Sequence, residues 1–420
     1  MLPHSLHNRK NIVQGTNLKT QLFGLFYRAK ANKMTLLFWF LLALVFYAYL
    51  GYGIILFVIV RLKRALRKPK EYPSPEWPEV TLVIPAYNEE DFIAAKAENS
   101  LALSYPKNKL RILFITDGST DATVEILQGI EGVEVTHSDR RAGKSAAENR
   151  AMSLVNSPIV VFCDANTDLN RDCIEKLVRH YADPRVGGVA GEKRVKSASA
   201  DTASAAGEGL YWRYESTLKK WDSELYSVVG AAGELISFRS ELVQDLEEDT
   251  ILDDFVQSLR ICAQGFRVVY EPEAFAAETA SDNVQEELKR KIRIAAGGWQ
   301  AMSRLGTLFN FFRHPILTFQ YVSHRVLRWS LAAFALPLIF LLNLLLYSHG
   351  SLYQFLLAAQ LIFYSLANLG WVLENQQIRL KLLFVPYYFL IMNYAVFAGF
   401  NRWIKGKQKS TWERAKRAQA

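Results

Sequence analysis

Cysteine is scarce in this sequence of 420 residues, and its three copies lie in the middle of the chain, at Cys163, Cys173 and Cys262. Their spacing matches no common pattern of zinc ligands. So few cysteines also exclude a fold that depends on a framework of disulfides. We therefore expect three free thiols in a protein of a reducing compartment.

Two glycine-rich loops that commonly cradle phosphate groups are missing as well. Neither GxGxxG nor GxxxxGK[ST] follows any strand-like stretch of the sequence. Their absence excludes the usual dinucleotide-binding and P-loop sites. Any diphosphate that this chain binds must therefore have its negative charge met in another way.

Long uncharged runs, by contrast, are plentiful, and hydrophobic residues make up 50% of the chain. Residues 35–60 form 26 positions without a charge, and a helix needs about 20 such residues to cross a bilayer. Three further apolar runs are found at 331–347, 352–373 and 382–400. We predict one membrane helix at 35–60 and about three within 331–400, in a multi-pass protein of the cell membrane.

Basic residues are concentrated beside these runs. The net charge is +9, and positions 61–70 hold six basic residues while positions 402–417 hold seven. Because such residues flank membrane spans on the cytoplasmic side, we expect the lipid bilayer as a partner, no nucleic acid, and residues 80–300 in the cytoplasm. One span before them and three after would leave the tail outside. Either one apolar run does not cross, or the tail breaks the charge rule.

The remaining boundaries follow from changes in composition. Residues 1–34 are polar and basic without a signal-peptide pattern, and Met34, directly before the first apolar run, is a candidate start. We expect a basic linker at 61–79 and a basic tail at 401–420. Residues 301–330 have the pattern of an amphipathic segment that lies in the membrane interface.

Residues 80–300 alternate strand-like and helix-like stretches, as expected of an α/β domain with a mostly parallel sheet. Four short apolar runs are predicted as strands, at 80–86, 110–116, 133–136 and 159–163. The second and the fourth run end at Asp117 and Asp164. Because open α/β sheets bind ligands at the carboxyl ends of their strands, we expect both carboxylates in one crevice.

A carboxylate and an amide follow the fourth strand, in Asp164-Ala165-Asn166. Taken alone, this pattern also suits a helix N-cap or an Asx turn. Side chains at i and i+2 beyond a strand can, however, turn toward one ion, and Mg²⁺ or Mn²⁺ prefers oxygen ligands shared with substrate phosphates. We predict Asp164 and Asn166 as ligands of Mg²⁺ or Mn²⁺, which would neutralise charge on a leaving diphosphate.

Five motifs in order carry a resemblance to a known family. They are Pro85-Ala86-Tyr87-Asn88-Glu89-Glu90, Asp117-Gly118-Ser119-Thr120-Asp121, Gly143-Lys144, Asp164-Ala165-Asn166 and Ile251-Leu252-Asp253-Asp254. With them, residues 80–300 resemble the catalytic domain of family-2 glycosyltransferases, in the membrane-bound group of hyaluronan, chitin, cellulose and poly-N-acetylglucosamine synthases. The resemblance implies a GT-A-like, Rossmann-like α/β fold and a UDP-sugar as donor.

The resemblance also assigns roles to individual residues. It implies that the nucleotide sugar is bound by Pro85, Ala86, Tyr87, Glu89, Asp117, Gly118, Lys144, Asp164, Arg290 and Arg293. Asp254 becomes the general base, because an acceptor hydroxyl is too weak an acid to lose its proton unaided at neutral pH. Asp253 orients this base or begins a helix. Gly233 and Glu234 lie where the acceptor approaches the backbone closely.

Two departures from the family pattern bear on the product. Asn166 replaces a second metal-site carboxylate, which weakens the expected affinity for a metal ion. The family's Gln-x-x-Arg-Trp corresponds to Arg290-Lys291-Ile292-Arg293-Ile294, which lacks the tryptophan that supports an acceptor sugar in processive synthases. Trp299 is the candidate substitute, and the alternative is that it only packs against other helices.

Together these features predict an inverting membrane glycosyltransferase that moves a sugar from a UDP-sugar to an acceptor hydroxyl and builds a β-linked exopolysaccharide. Two alternatives stay open. One is a transferase that adds a single sugar to a lipid-linked acceptor, either a lipid carrier or a glycolipid. The other is a catalytically weak subunit for membrane assembly or export, which the altered positions Asn166 and Ile294 would explain.

Overall fold

The computed structural model describes residues 32–66, 77–196, 203–231, 233–279, 284–376 and 381–411. Most of the predicted N-terminal segment, the middle of the basic linker and the end of the tail lie outside the described residues, at 1–31, 67–76 and 412–420. Within the described ranges, an α/β domain is flanked by long apolar helices.

The domain is built on one sheet. Its strands are β1 Val80–Ala86, β2 Leu110–Asp117, β3 Glu134–Ser138, β4 Ile159–Cys163, β5 Asp168–Leu169, β6 Val186–Lys196, β7 Leu235–Arg239 and β8 Arg267–Thr279. They lie in the order β3-β2-β1-β4-β7-β6-β8-β5. The four predicted strands are present and parallel to their neighbours within that group. Beyond β4 the sheet is mixed: β7 is antiparallel to both β4 and β6, and β5 is antiparallel to β8, whereas β6 and β8 are parallel.

Helices cover both faces of this sheet. Together with the apolar helices that flank the domain, the longer helices of the described residues are, in chain order, α1 Asn32–Leu66, α2 Ile93–Leu101, α3 Thr123–Gln128, α4 Lys144–Met152, α5 Cys173–Val178, α6 Ala203–Leu225, α7 Asp253–Ala263, α8 Val284–Arg304, α9 Pro315–Tyr321, α10 Leu331–Leu346, α11 Ser351–Asn375 and α12 Lys381–Ile404. Leu82 and Ile84 of β1 belong to one buried cluster, whereas Val83 belongs to a second. Because both faces of the sheet are buried there, β1, β2 and β4 are mostly apolar, which explains why they could be predicted from short apolar runs.

The predicted membrane helices correspond to four helices of the described chain that are long and apolar enough to cross a membrane. They are α1, α10 together with the turn that follows it, α11, and α12. The chain returns to the domain at the end of α12: a methyl group placed on Gly143 would lie 3.7 Å from Ser410 Oγ. A chain that leaves a domain and returns to it crosses a membrane an even number of times. This contact favours the topology in which one of the three C-terminal apolar runs does not cross.

The segment 301–330 has two different faces. Leu308, Leu317 and Tyr321 are buried in the same cluster as Val83, so this face belongs to the core of the domain. Phe312, in the turn before α9, is 98% exposed. Pro315 begins α9, in the first turn, where its missing N–H costs no hydrogen bond. A position of the exposed face in the membrane interface stays a prediction.

Candidate active site

The loops that follow β1 and β2 are tied together by hydrogen bonds. Asn88 has a left-handed backbone conformation with φ of 52°. Its Oδ1 accepts a hydrogen bond from the Thr120 N–H at 2.8 Å. The Glu89 N–H donates to Thr123 Oγ1 at 2.8 Å. The first two motifs of the predicted donor site therefore form one continuous edge of the sheet.

A tyrosine and an arginine lie face to face at this edge. Arg141 Cζ is 3.7 Å from the centroid of the Tyr87 ring, a distance at which a cation–π attraction is effective. Gly118 has φ of +68°, and a methyl group on it would come within 2.7 Å of Arg141 Cβ. Gly118 therefore allows Arg141 to reach Tyr87. Pro85 and Ala86 are buried at the end of β1 and shape the edge from within the sheet.

Asp117 holds the loop that leads into α4. Its Oδ2 accepts hydrogen bonds from the N–H groups of Ala142 at 2.9 Å and Gly143 at 2.6 Å. Its Oδ1 pairs with Arg150 Nη1 at 3.0 Å. The carboxylate is buried and positions the loop that carries Lys144. Its predicted contact with the nucleotide sugar stays a prediction.

Lys144 stands at the centre of the site. Its Nζ is 2.8 Å from Asp164 Oδ1, 3.2 Å from Asp253 Oδ2 and 3.8 Å from Glu148 Oε1. Burial disfavours the charged ammonium, but the carboxylates around it outweigh burial and raise the pKa of Lys144 well above its usual value. A single ammonium thus joins the third, fourth and fifth motifs.

The carboxylates around Lys144 differ in their tendency to ionise. Burial raises the pKa of Asp164, and Lys144 offsets this effect only in part. Burial and the neighbouring charge of Asp253 raise the pKa of Glu148 well above its usual value. Burial acts on Asp253 too, but Lys144 and backbone hydrogen bonds outweigh it and lower the pKa of Asp253. The site therefore favours a protonated Glu148 near an ionised Asp253.

Asp254 lies in the first turn of α7 and faces Gly233. A methyl group on Gly233 would lie 3.2 Å from Asp254 Oδ2, so the missing side chain allows the backbone of Gly233 to approach this carboxylate closely. Burial, and then the like charge of Asp253, raise the pKa of Asp254 to about 7. A carboxylate with a pKa near neutrality is well matched to accept a proton as a general base.

Glu234, the next residue after Gly233, is held by a buried cation. Lys193, near the end of β6, pairs with Glu234 at 2.6 Å and also with Glu278 of β8. Burial would raise the pKa of Glu234, but Lys193 and then Arg290 outweigh burial and lower it to about 2. Glu234 therefore stays ionised over the range in which Asp254 titrates.

The two arginines that the resemblance assigns to the donor lie on α8. Arg290 Nε donates to Glu287 Oε2 of the same helix at 2.9 Å. Arg293 Nη1 donates to the carbonyl of Ile251 at 3.4 Å. Arg293 thus lies beside the motif that contains Asp254, and Gly297 of the same helix permits this approach, because a methyl group there would meet Ile251 Cγ2 at 2.8 Å.

Trp299 lies in an aromatic cluster with the C-terminal helices. Its ring stacks on that of Trp403, with 5.8 Å between centroids, and contacts Phe400 at 4.6 Å and Phe334 at 6.4 Å. Its Nε1 is buried and has no hydrogen-bond partner among the described residues. These contacts correspond to the packing alternative for Trp299. None of them brings Trp299 to Asp254.

Asp164 and Asn166 lie half-buried in the loop between β4 and β5. In the ranges that the structure describes, no group of three or more His, Cys, Asp or Glu side chains is arranged to hold a metal ion. The protein offers one carboxylate and one amide oxygen, and Lys144 already lies beside the carboxylate. Such a pair suits Mg²⁺ or Mn²⁺ only when a substrate supplies further oxygen ligands.

Some residues of the site lie outside the predicted set. Glu148 follows Lys144 by four positions on α4, and this spacing, which places both on one helix face, is a signal that could have identified it. Arg141 stands in the predicted loop before α4, but no spacing marks its contact with Tyr87. Lys193 carries no local signal, because its two partners are distant in the sequence.

Comparisons with known sequences agree with this geometry. Residues 81–246 match the family described as Glycosyl transferase family 2. Poly-beta-1,6-N-acetyl-D-glucosamine synthase of Staphylococcus aureus (strain MSSA476) is 27% identical over 264 residues, which are 60% of this chain and 62% of the relative. An N-acetylglucosaminyltransferase of Rhizobium sp. (strain N33) is 26% identical over 53% of each chain. The match thus spans less than two thirds of the length of either relative.

A solved structure shares the fold. A mannosyltransferase from Pyrobaculum calidifontis, in complex with GDP-Man and Mn²⁺, superposes with a TM-score of 0.67 and 24% identity over 89% of this chain and 99% of that chain. The α/β domain is therefore a GT-A-like fold. Within this domain, residues 81–246 carry the similarity to the glycosyl transferase family 2 description.

Proposed function

We propose that this enzyme transfers a sugar from a UDP-sugar to an acceptor hydroxyl, with inversion, and extends a β-linked polysaccharide at the cell membrane. The observation that supports this most is the meeting of Asp164 and Asp253 at Lys144, within 3.2 Å of its Nζ, next to the pair of Asp254 and Gly233. The similarity to a polysaccharide synthase supports the polymeric product.

In the proposed reaction, the oxygen of the acceptor hydroxyl attacks the anomeric carbon while the bond from that carbon to the diphosphate breaks. Asp254 takes the proton of the hydroxyl as the new bond forms, and UDP leaves with the bonding electrons. Attack from the face opposite the diphosphate turns an α-linked donor into a β-linked product. Gly233 leaves space for the acceptor against Asp254.

Lys144 and Tyr87 are the proposed contacts for the two ends of UDP. Lys144 supplies positive charge for the diphosphate, and it must then share the contacts that it makes with Asp164 and Asp253. Tyr87 with Arg141 forms a flat surface at the sheet edge that suits a uracil ring. Asp117 maintains the loop between these two contacts.

A divalent metal ion fits the donor chemistry of the site. Asp164 and Asn166 would hold Mg²⁺ or Mn²⁺ through one carboxylate and one amide oxygen, with further oxygens from the diphosphate. When bound, such an ion neutralises charge on the leaving nucleoside diphosphate.

The proposed orientation places the domain in the cytoplasm. Lys63 and Arg64 at the end of α1 contact Glu224 of α6, so the basic end of this helix lies at the domain. Lys407 and Lys409, the described basic residues just before Ser410, lie on the domain side as well, as the contact of Ser410 near Gly143 indicates. The described basic residues that follow α12 and those at the end of α1 then obey the preference for the cytoplasmic side.

The packing of Trp299 favours one alternative, the addition of a single sugar to a lipid-linked acceptor. Ile294 cannot stack on a sugar ring, and the Trp299 ring is occupied by Phe400 and Trp403. An enzyme that releases its product after one addition does not need an aromatic support for a long chain on α8.

Product analysis separates these functions. The purified protein in lipid nanodiscs is incubated with UDP-N-acetylglucosamine, UDP-glucose or other UDP-sugars and a lipid extract, and the release of UDP and the masses of the products are measured. A ladder of masses that a β-specific glycosidase digests supports the polymer. A single sugar on a lipid supports the alternative. No release of UDP from any donor would contradict both.

A further inference from the structure

The two π-helical segments of the described chain lie against each other. Tyr47–Gly51 interrupts α1, and Val322–Val326 follows α9. The Tyr47 hydroxyl is 2.7 Å from Ser323 Oγ. π-Helical turns are rare and are frequent at functional sites. Here one comes from a candidate membrane helix and the other from the segment that follows the catalytic domain.

The π-helical turn of α1 offers backbone acceptors to neighbouring elements. Arg328 Nε donates to the carbonyl of Ala48 at 3.0 Å, and the Tyr214 hydroxyl donates to the carbonyl of Tyr49 at 2.6 Å. In a regular α-helix these carbonyls accept the N–H groups four residues later. The irregular turn thus binds α1 to α6 and to the segment that contains Arg328.

Glu215 of α6 is the anion at the centre of this contact. Its buried carboxylate pairs with Arg328, and Arg325 Nη1 is 3.2 Å and His324 Nε2 is 3.4 Å away. Burial would raise the pKa of Glu215, but Arg328 and Arg325 outweigh burial and hold it well below its usual value. A buried anion of this kind restricts the arrangement of its partners, because a displaced partner leaves an uncompensated charge.

A second buried carboxylate, Asp222, connects the same elements again. It accepts hydrogen bonds from the Tyr52 hydroxyl of α1 and from Gln320 Nε2, the latter at 3.1 Å. His324 Nδ1 lies 2.6 Å from Asp222 Oδ2. All four side chains are completely buried. The junction between α1, α6 and the π-helical segment is therefore rigid and polar.

Arg325 extends this junction to the active site. Its Nε donates to the carbonyl of Val229 at 3.1 Å. A methyl group on Gly230, which has φ of +97°, would meet Arg325 Nη2 at 2.3 Å, so the guanidinium lies directly on this loop. Gly233, the residue that faces Asp254, follows three positions later.

The short helix Leu327–Trp329, which directly follows the π-helical segment, supports α7, the helix that carries the proposed base. The Trp329 ring is 5.8 Å from Arg325 Cζ and 5.1 Å from the centroid of Phe255, the residue after Asp254. Gly298 of α8 allows this position of the ring, since a methyl group there would come within 2.5 Å of it. Arg325 thus contacts the Gly230 loop on one side of the proposed acceptor space, and Trp329 contacts α7 on the other.

We propose that Arg325 is a positioning residue that fixes the loop of Gly230 and Gly233 relative to Asp254, and that Glu215 and Arg328 connect this loop to α1. The inference rests on the proposed function, in which Asp254 is the base and Gly233 faces the acceptor. The consequence is that the position of a candidate membrane helix sets the distance between the acceptor hydroxyl and the base.

Arg325→Lys tests this role, because lysine keeps a positive charge for Glu215 but loses the Nε donor to Val229. We expect the KM for the acceptor to rise, or kcat to fall, by about tenfold, since small misplacements of reacting groups are costly. UDP affinity should stay within about twofold of the wild type, and amide hydrogen exchange at residues 228–231 should become faster. Arg313→Lys, at an exposed position shortly before α9, is the matched control and should change neither the acceptor kinetics nor the hydrogen exchange.

The inference is overturned if Arg325→Lys keeps wild-type acceptor kinetics and wild-type hydrogen exchange. It is also overturned if UDP affinity falls by the same factor as the acceptor kinetics. If Arg325→Lys does not fold, Tyr47→Phe decides, because it removes only the hydroxyl between the two π-helical turns. Faster exchange at 228–231 in Tyr47→Phe supports the coupling, and unchanged exchange overturns it. A wild-type protein that releases no UDP would contradict the proposed function, whereas hydrogen exchange still tests Arg325 independently.

Discussion

Gly118 lies directly against the backbone of Arg141: a methyl group on Gly118 would come within 2.9 Å of both the nitrogen and the Cα of Arg141. With φ of +68°, the position is also strained for any other residue. We expect Gly118→Ala to lower the free energy of unfolding by about 1–3 kcal/mol and to displace Arg141 from Tyr87. UDP binding, measured by calorimetry, should weaken.

Gly265→Ala is the matched control for this change. Gly265 also has a positive φ, +98°, but no atom lies within 4 Å of the added methyl group. The Gly265→Ala variant should therefore have the same kind of backbone strain without any loss of UDP affinity. Equal UDP affinity in Gly118→Ala and Gly265→Ala would show that the contact with Arg141 does not matter for the donor.

The pH dependence of transfer should follow Asp254, which accepts a proton only when it is ionised. Because burial and Asp253 raise its pKa to about 7, it is still protonated at a pH where an ordinary aspartate is charged. The value of kcat/KM should fall about tenfold per pH unit below the pKa and level off above it. UDP affinity over the same range is the control. A rate that stays constant down to about pH 5 would exclude a base with this pKa.

Gly233→Ala should impair transfer more than donor binding. The added methyl group would stand 3.2 Å from Asp254 Oδ2, in the space proposed for the acceptor. We expect a loss of about 10²-fold in kcat/KM for the acceptor, since displacement by about 1 Å has effects of this size. Gly306→Ala, where the methyl group meets no atom within 4 Å, is the control. An unchanged acceptor kcat/KM would place the acceptor elsewhere.

Metal dependence should act through Asp164. Chelation with EDTA and Asp164→Ala should each abolish the release of UDP. Added Mn²⁺ or Mg²⁺ should restore UDP release in the chelated wild-type protein but not in Asp164→Ala. Since Asn166 is a neutral ligand, Asn166→Asp should lower the metal concentration that gives half-maximal activity. Full activity after exhaustive chelation would show that Lys144 and the arginines alone meet the charge of the diphosphate.

The half of the site that we propose for the donor was predictable from sequence because its strands are buried and short. β1, β2 and β4 are covered on both faces, so each is mostly apolar, and because β2 and β4 are both parallel to β1 their carboxyl ends lie at the same sheet edge. This is why Asp117 and Asp164 could be assigned to one crevice.

The rest depends on contacts between residues far apart in the chain. β6 contains three glycines and ends in a mostly charged stretch, so no apolar run marks it as a strand. Arg325 reaches Val229, and Gly143 faces Ser410, across about a hundred residues or more of intervening chain. The sequence around Trp299 does not distinguish a ring that binds a sugar from one that packs on Trp403. Only the folded arrangement separates these cases.

The most direct test of the account compares Asp254→Asn with Asp253→Asn. Asp254→Asn should slow sugar transfer by about 10²–10⁴-fold, the usual contribution of a general base, and leave UDP affinity within about twofold of the wild type. Asp253→Asn removes a partner of Lys144 and should change UDP affinity as well. Full transfer by Asp254→Asn in lipid nanodiscs would contradict the assignment of Asp254 as the base and with it the proposed mechanism.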